Sequence, residues 1–231
     1  MQLELEQISK KVGRIFHIAD VSLTFTAGTL NILLGPTLSG KTTLMRLMAG
    51  LDQPTAGRVL VDGRDVTGVP VQKRNVAMVY QQFINYPNLT VFENIASPLR
   101  IAGQSRAEID SKVSEIAGLL KLGDMLGRTP QELSGGQQQR GAIARSLANT
   151  PAIVLADEPT GNLDLTTGEE IITLLKRLSS ERGVTVISAT HDYKMLNVSD
   201  RVVWIRDGRI DKIEERAQLN ITVGGIGTRE G

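Results

Sequence analysis

The stretch Gly35-Pro36-Thr37-Leu38-Ser39-Gly40-Lys41-Thr42-Thr43 constrains this chain more than any other part of it. The apolar run LNILL precedes it, and TTLMRLMAGL follows with Leu44, Leu47, Met48 and Leu51 at helical spacing. The segment therefore reads as a strand, a glycine loop and a helix, the context in which the pattern G-x-x-x-x-G-K-[ST] holds phosphate. Glycines at both ends let the backbone curl so that its N–H groups, with the positive end of the helix, face the anion. Lys41 is placed to reach the β- and γ-phosphates of a nucleotide and Thr42 to reach its Mg²⁺. A glycine turn that binds nothing is the plainer alternative.

Two further segments carry chemistry. Ile153-Val154-Leu155-Ala156 is an apolar strand that delivers adjacent carboxylates, Asp157 and Glu158, to its C-terminal end, the edge where open α/β sheets bind ligands. Asp157 is expected to hold Mg²⁺ through water, and Glu158 to orient or deprotonate a water attacking the γ-phosphate. By itself such a pair also suits a solvated helix entry. Leu133-Ser134-Gly135-Gly136-Gln137 precedes the helix QQQRGAIARSLAN, and a serine with two glycines there makes a second anion nest or an ordinary N-cap. One nucleotide does not need two nests from one chain, so this one points to the nucleotide of a neighbouring copy.

Around these segments, LELEQI, VSLTF, RVLVDG and NVAMVYQ read as strands. From about Thr90 to Asn149 the texture is helical. After Pro151 the β/α alternation resumes with AIVLAD, LTTGEEIITLLKRLSSERG and VTVISAT, and VVWIRDG and RIDKIEE form a closing pair. The fold class expected is α/β, a parallel sheet flanked by helices, with a β-rich start and a helical lobe at about residues 82–149. The tail from Asn220 is rich in glycine and polar residues and is expected to be mobile.

Composition removes several functions. The 26 Lys plus Arg nearly balance the 25 Asp plus Glu, a net charge of +1 that gives no general attraction to nucleic acid or an anionic bilayer. Aromatic residues are few, which argues against a stacking platform for single strands. The absence of cysteine excludes disulfides, thiolate metal sites and a Cys nucleophile, and suits a reducing cytoplasm. No run approaches the roughly 20 apolar residues that span a bilayer, so work at a membrane would need a separate protein.

GPTLSGKTT, LSGGQ and VLADEP stand in the order and spacing of the ABC transporter ATPases, and the resemblance covers nearly the whole chain. It implies an ABC-type phosphate-loop fold in residues 1–219 that binds ATP with Mg²⁺. It also implies a homodimer around two nucleotides and a cytoplasmic, peripheral position on transmembrane subunits. It further assigns Gln81, after NVAMVYQ, to metal contact and to the link with the lobe, and Asp164, in Gly161-Asn162-Leu163-Asp164, to communication across the dimer. His191, after VTVISAT, is assigned to the γ-phosphate. Outside the resemblance these three read as a surface residue, a turn and a cap. Phe83, Ile84, Tyr86, Pro87 and Leu89 are candidates for the groove that receives the membrane subunit, or for lobe core.

The chain departs from the family in two places. The position that stacks adenine in many members holds Val12, which cannot stack, leaving Phe16 as a substitute. The first half resembles ATPases of sugar and glycerol importers, whereas the part from about Arg140 resembles lipoprotein-release and macrolide-efflux ATPases. A natural lineage and a fusion joined between Ser134 and Asp157 both fit, and the latter leaves open an ATP-binding domain without a transport partner.

Overall fold

The computed structural model describes residues 1–191 and 193–218. In chain order it contains β1 (Leu3–Val12), β2 (Ile15–Phe25), β3 (Leu30–Leu34), α1 (Lys41–Ala49), β4 (Ala56–Val61), β5 (Arg64–Asp65) and β6 (Val76–Val79). Next come α2 (Val91–Ile101), α3 (Arg106–Leu119), α4 (Gly135–Leu147), β7 (Ile153–Asp157), α5 (Leu165–Arg182), β8 (Thr185–Thr190), β9 (Arg201–Arg206) and β10 (Arg209–Glu215). The tail expected to be mobile lies outside the described residues. Among those residues no helix is long and apolar enough to cross a membrane.

Two sheets divide the strands. One has the order β2-β1-β4-β5, all neighbours antiparallel. The other runs β10-β9-β3-β8-β7-β6 and is parallel except for β10. Strand periodicity decides how the parallel sheet is covered. Ile32, Leu34, Val154 and Ala156 point to the face packed by α2 to α5, while Leu33, Ile153 and Leu155 point to the face packed by α1 and the antiparallel sheet. Both faces are buried, which is why these strands read as continuous apolar runs rather than as alternations.

The N-terminal strands extend beyond their apolar runs. LELEQI is only the start of β1, which continues to Val12 through an irregularity at Gln7 (φ 50), and VSLTF is only the end of β2. The added residues are held by cross-strand pairing such as Lys10↔Ile18 and by a turn at Gly13 (φ 58), neither of which follows from hydrophobic alternation.

The helices are fixed by local chemistry at their starts. Thr90 with Glu93, Ser105 with Glu108 and Ser134 with Gln137 form reciprocal capping boxes at α2, α3 and α4. α2, α3 and α4 fall within residues 82–149, where α4 touches α2 and α3 and also β6 and α5. That placement sets α4 between the other two helices and the parallel sheet.

Candidate functional site

The C-terminal ends of β3, β8, β7 and β6 lie side by side, because these strands are parallel neighbours in that order. Each end delivers one of the expected groups. β3 leads into the phosphate loop, β8 ends one residue before His191, β7 ends on Asp157 with Glu158 next, and β6 ends two residues before Gln81. Four segments distant in sequence are thus gathered on one edge by topology alone.

The phosphate loop is shaped by close approaches. A Cβ on Gly35 would lie 2.1 Å from the Ile205 carbonyl oxygen of β9, and Gly40 caps α1 at φ 103 with the His17 carbonyl 2.8 Å from where its Cβ would be. Lys41 is buried, and its Nζ donates to the carbonyls of Gly35 at 2.7 Å and Pro36 at 3.0 Å. Its charge is therefore held inside the loop curl. Leu38 stands fully exposed at φ 67, whereas Ser39 is buried beneath the loop.

Across from the loop, Thr42 Oγ1 donates to Asp157 Oδ1 at 3.3 Å. Burial pushes the Asp157 carboxyl above its usual range, the Thr42 hydrogen bond opposes this, and the neighbouring Glu158 charge adds to it. A hydroxyl and a desolvated carboxylate facing each other are hard oxygen donors, which fits Mg²⁺ bound with nucleotide phosphates. Glu158 adopts φ 48 and donates its backbone N–H to the Ala189 carbonyl, and its Oε2 lies 3.0 Å from His191 Nδ1. Glu158 is largely shielded and His191 largely exposed.

Gln81 sits apart from that cluster, against the loop after β7. Its carbonyl accepts from Asn162 Nδ2 at 3.1 Å, and a Cβ on Gly161 would fall 2.7 Å from its Nε2. Asp164 caps α5, with Oδ1 accepting from the Thr167 N–H at 3.0 Å and Oδ2 from its hydroxyl at 2.7 Å, and the same contacts lower its pKa. Ser134 Oγ accepts from the Gln137 N–H at 3.4 Å, while Gln137 Oε1 accepts from the Ser134 N–H. The start of α4 packs on the same chain: a Cβ on Gly136 would lie 2.3 Å from Thr167 Cγ2 and one on Gly135 3.3 Å from Phe83. No hydrogen bond among the described residues joins Ser134 to Gln137 with the phosphate loop.

A cavity of about 490 Å³ opens beside the loop, walled by Thr37 to Thr43, by Ile15, Phe16 and His17 of β2, and by Asp207 and Gly208. Phe16 is on this wall and Val12 is not. Lys11 Nζ lies 5.2 Å from the Phe16 ring centroid, and half of the residue is open to solvent. An aromatic face beside a phosphate loop is what a purine would stack on.

Two residues play parts that the sequence analysis does not assign. Arg74 is buried and donates to carbonyls of Val66, Thr67, Val69, Leu47 and Met48, so that it closes the C-terminal end of α1. No sequence signal marks it, since its partners are backbone. Gln139 is fully buried on α4 with Ile143 and Leu147, four and eight residues on. A polar residue on that apolar stripe was a signal available in the sequence.

A phosphate loop beside a paired strand-end carboxylate, on the C-terminal edge of a parallel sheet, defines a phosphate-loop nucleoside triphosphatase fold. The family pattern described as ABC transporter matches residues 18–161, more than half of the chain. The chain belongs to that family. It is 42% identical over 218 residues to the spermidine/putrescine import ATP-binding protein PotA of Rubrobacter xylanophilus, a match covering 94% of this chain and 58% of that protein. It is 43% identical over 204 residues to Fe(3+) ions import ATP-binding protein FbpC 1 of Rhizobium meliloti, covering 88% of this chain and 58% of that protein. The chain thus spans under three fifths of the length of these relatives. Among solved structures it resembles the dimeric bacterial ABC transporter cassette MJ0796, at 35% identity and a TM-score of 0.83 over 93% of this chain and 98% of that one. The match to PotA runs across the junction between the two halves.

Proposed function

We propose that the chain is the ATP-binding and hydrolysing motor of an ABC importer, closing as a homodimer on two Mg·ATP and driving separate transmembrane subunits at the cytoplasmic face of the membrane. The observation that carries this is the division of labour in the site. Lys41, Thr42, Asp157, Glu158 and His191 share one sheet edge, whereas among the described residues no hydrogen bond joins the second anion nest at Ser134, Gly135 and Gly136 to it. A nest without a nucleotide of its own suits the nucleotide of a second copy, and the related MJ0796 cassette is dimeric.

In this reading the loop N–H groups and the N-terminus of α1 bind the phosphates, and Lys41 exchanges two carbonyl partners for phosphate oxygens. Thr42, Asp157 and Gln81 are the residues that would hold Mg²⁺, and the ion would supply positive charge beside the γ-phosphate. Glu158 takes the proton of the attacking water, and His191, already within hydrogen-bonding distance of Glu158, keeps that carboxylate turned toward the phosphate. Closing contacts made to the γ-phosphate vanish on hydrolysis, so the closed state loses its advantage and the dimer reopens.

The membrane subunit docks beside the segment after β6. Ile84 and Tyr86 are exposed there, Arg145 stacks 4.8 Å from the Tyr86 ring centroid, and Ile84 and Arg145 share a cavity of about 310 Å³ with the edge strand β6.

The test is phosphate release by the purified chain with Mg·ATP, compared with Lys41→Ala. Turnover that falls at least about a hundredfold in the variant, through lost charge-assisted phosphate contacts, is expected. Equal release by both proteins, or none by the wild type, would sink the proposal.

Base recognition is tested separately. Phe16→Ala should weaken ATP binding by about 10-fold to 100-fold, the loss of one base–aromatic stack, while Val12→Ala leaves it unchanged. The reverse ranking in an equilibrium titration with a fluorescent ATP analogue would return the stacking role to position 12.

A further inference from the structure

The α4 helix buries Gln139, Ile143 and Leu147 on one stripe, and the carboxamide of Gln139 is 0% exposed. Space filling alone would be served better by leucine or methionine, because a buried amide must find hydrogen-bond partners. Its Nε2 donates to the Pro159 carbonyl at 2.8 Å and, at a longer 3.4 Å, to the Tyr80 carbonyl. Pro159 directly follows Glu158, and Tyr80 directly precedes Gln81. The Oε1 atom has no protein partner among the described residues. The position therefore keeps an amide for its donor, although its acceptor goes unused.

Two neighbouring bonds join the same segments: Asn85 Nδ2 donates to the Gln138 carbonyl of α4 at 3.0 Å, and Asn162 Nδ2 to the Gln81 carbonyl at 3.1 Å. α4, the segment after β6 and the segment after β7 thus form one hydrogen-bonded unit. Both asparagine links are more open to water than the bond from Gln139 to Pro159, which is fully buried. A bond in a low-dielectric interior is the stiffer tie, since water does not compete for its donor.

We infer that Gln139 is a positioning residue that ties the helix presenting Ser134, Gly135 and Gly136 to both Glu158 and Gln81 of its own chain. The inference rests on the dimer reading above. When the nucleotide of a second copy seats on the start of α4, the displacement one turn along the helix is passed through Gln139 to the two segments that handle water and metal. Each chain's hydrolytic groups then register whether its neighbour is loaded.

The experiment uses the full chain with Gln139→Met, which fills the space without a donor, and Gln139→Glu, which donates only when protonated. For the Met variant we expect a melting temperature within a few degrees of wild type and unchanged ATP affinity, with kcat lowered about tenfold or more and KM little altered, the signature of misplaced groups. For the Glu variant, turnover relative to wild type should rise as pH falls, because a protonated carboxyl can donate to the Pro159 carbonyl and a carboxylate cannot. Wild-type kcat in the Met variant overturns the inference, as does a Glu variant whose relative activity is flat with pH. ATP-dependent dimerisation of Glu158→Gln is scored separately. If that dimer forms while Gln139→Met turns over normally, the role of Gln139 fails alone, and if no dimer forms, the reading beneath it fails.

Discussion

Glu158→Gln is expected to lower steady-state ATP turnover by about a thousandfold, the loss of a positioned general base, while leaving ATP binding intact. The amide preserves the shape of the carboxylate and its place beside His191, but cannot take a proton from water. With hydrolysis blocked, the contacts to the γ-phosphate persist and the closed dimer accumulates. Light scattering after gel filtration should therefore show a doubling of mass with Mg·ATP and not with Mg·ADP. A variant that binds ATP and remains a monomer would overturn the homodimer reading. Turnover within a few-fold of wild type would remove Glu158 from the role of base altogether.

Arg74→Ala is expected to destabilise the fold by about 3 kcal/mol, since hydrogen bonds to a charged donor are each worth about 1.5–3 kcal/mol and do not add fully. The guanidinium serves carbonyls of Val66, Thr67, Val69, Leu47 and Met48, and burial lowers its pKa with only the Asp65 charge acting against this. Removing it leaves the carbonyls of Met48, Thr67 and Val69 without their donor in a place water reaches poorly, while those of Leu47 and Val66 keep the N–H groups of Gly50 and Val69. Urea denaturation should show a lower midpoint at unchanged slope. Arg74→Lys should recover only part of the loss, because an ammonium has three donors and no fork. A change within about 0.5 kcal/mol in the alanine variant would show that water replaces the guanidinium.

The glycine side of the same contact makes a related point. Gly50 ends α1 at φ 77, and a Cβ there would lie 2.5 Å from the Arg74 guanidinium carbon. The helix that carries Lys41 is therefore terminated by a residue 24 positions downstream together with a glycine that makes room for it. Such an arrangement leaves no local pattern, because a carbonyl acceptor has the same chemistry on every residue.

Much of the site was nevertheless readable along the chain. The phosphate loop announces itself, since glycine spacing, a lysine and a hydroxyl residue between an apolar strand and a helical period are demanded by the anion they hold. Asp157 and Glu158 were legible because an apolar strand must end where its carboxylates begin. The reciprocal caps at Ser134 and Ser105 are local chemistry as well, each pairing a side chain with a backbone N–H three residues on.

Other features depend on what the chain meets in space. Strand order brings Lys41, His191, Glu158 and Gln81 to one edge, and order is set by how both faces of β3, β7 and β8 are buried rather than by any one segment. Pairing across the β1–β2 hairpin, not hydrophobicity, carries Phe16 onto the cavity beside the phosphate loop and leaves Val12 off its wall. By itself the sequence determined which groups could bind phosphate, hold a cation and take a proton, because those capacities reside in side chains and their immediate spacing. Only the tertiary structure decided which of them share a site and what steadies them, as with Arg74 beneath α1 and Gln139 between two loops, because backbone carbonyls brought together from distant segments acquire their role through packing alone.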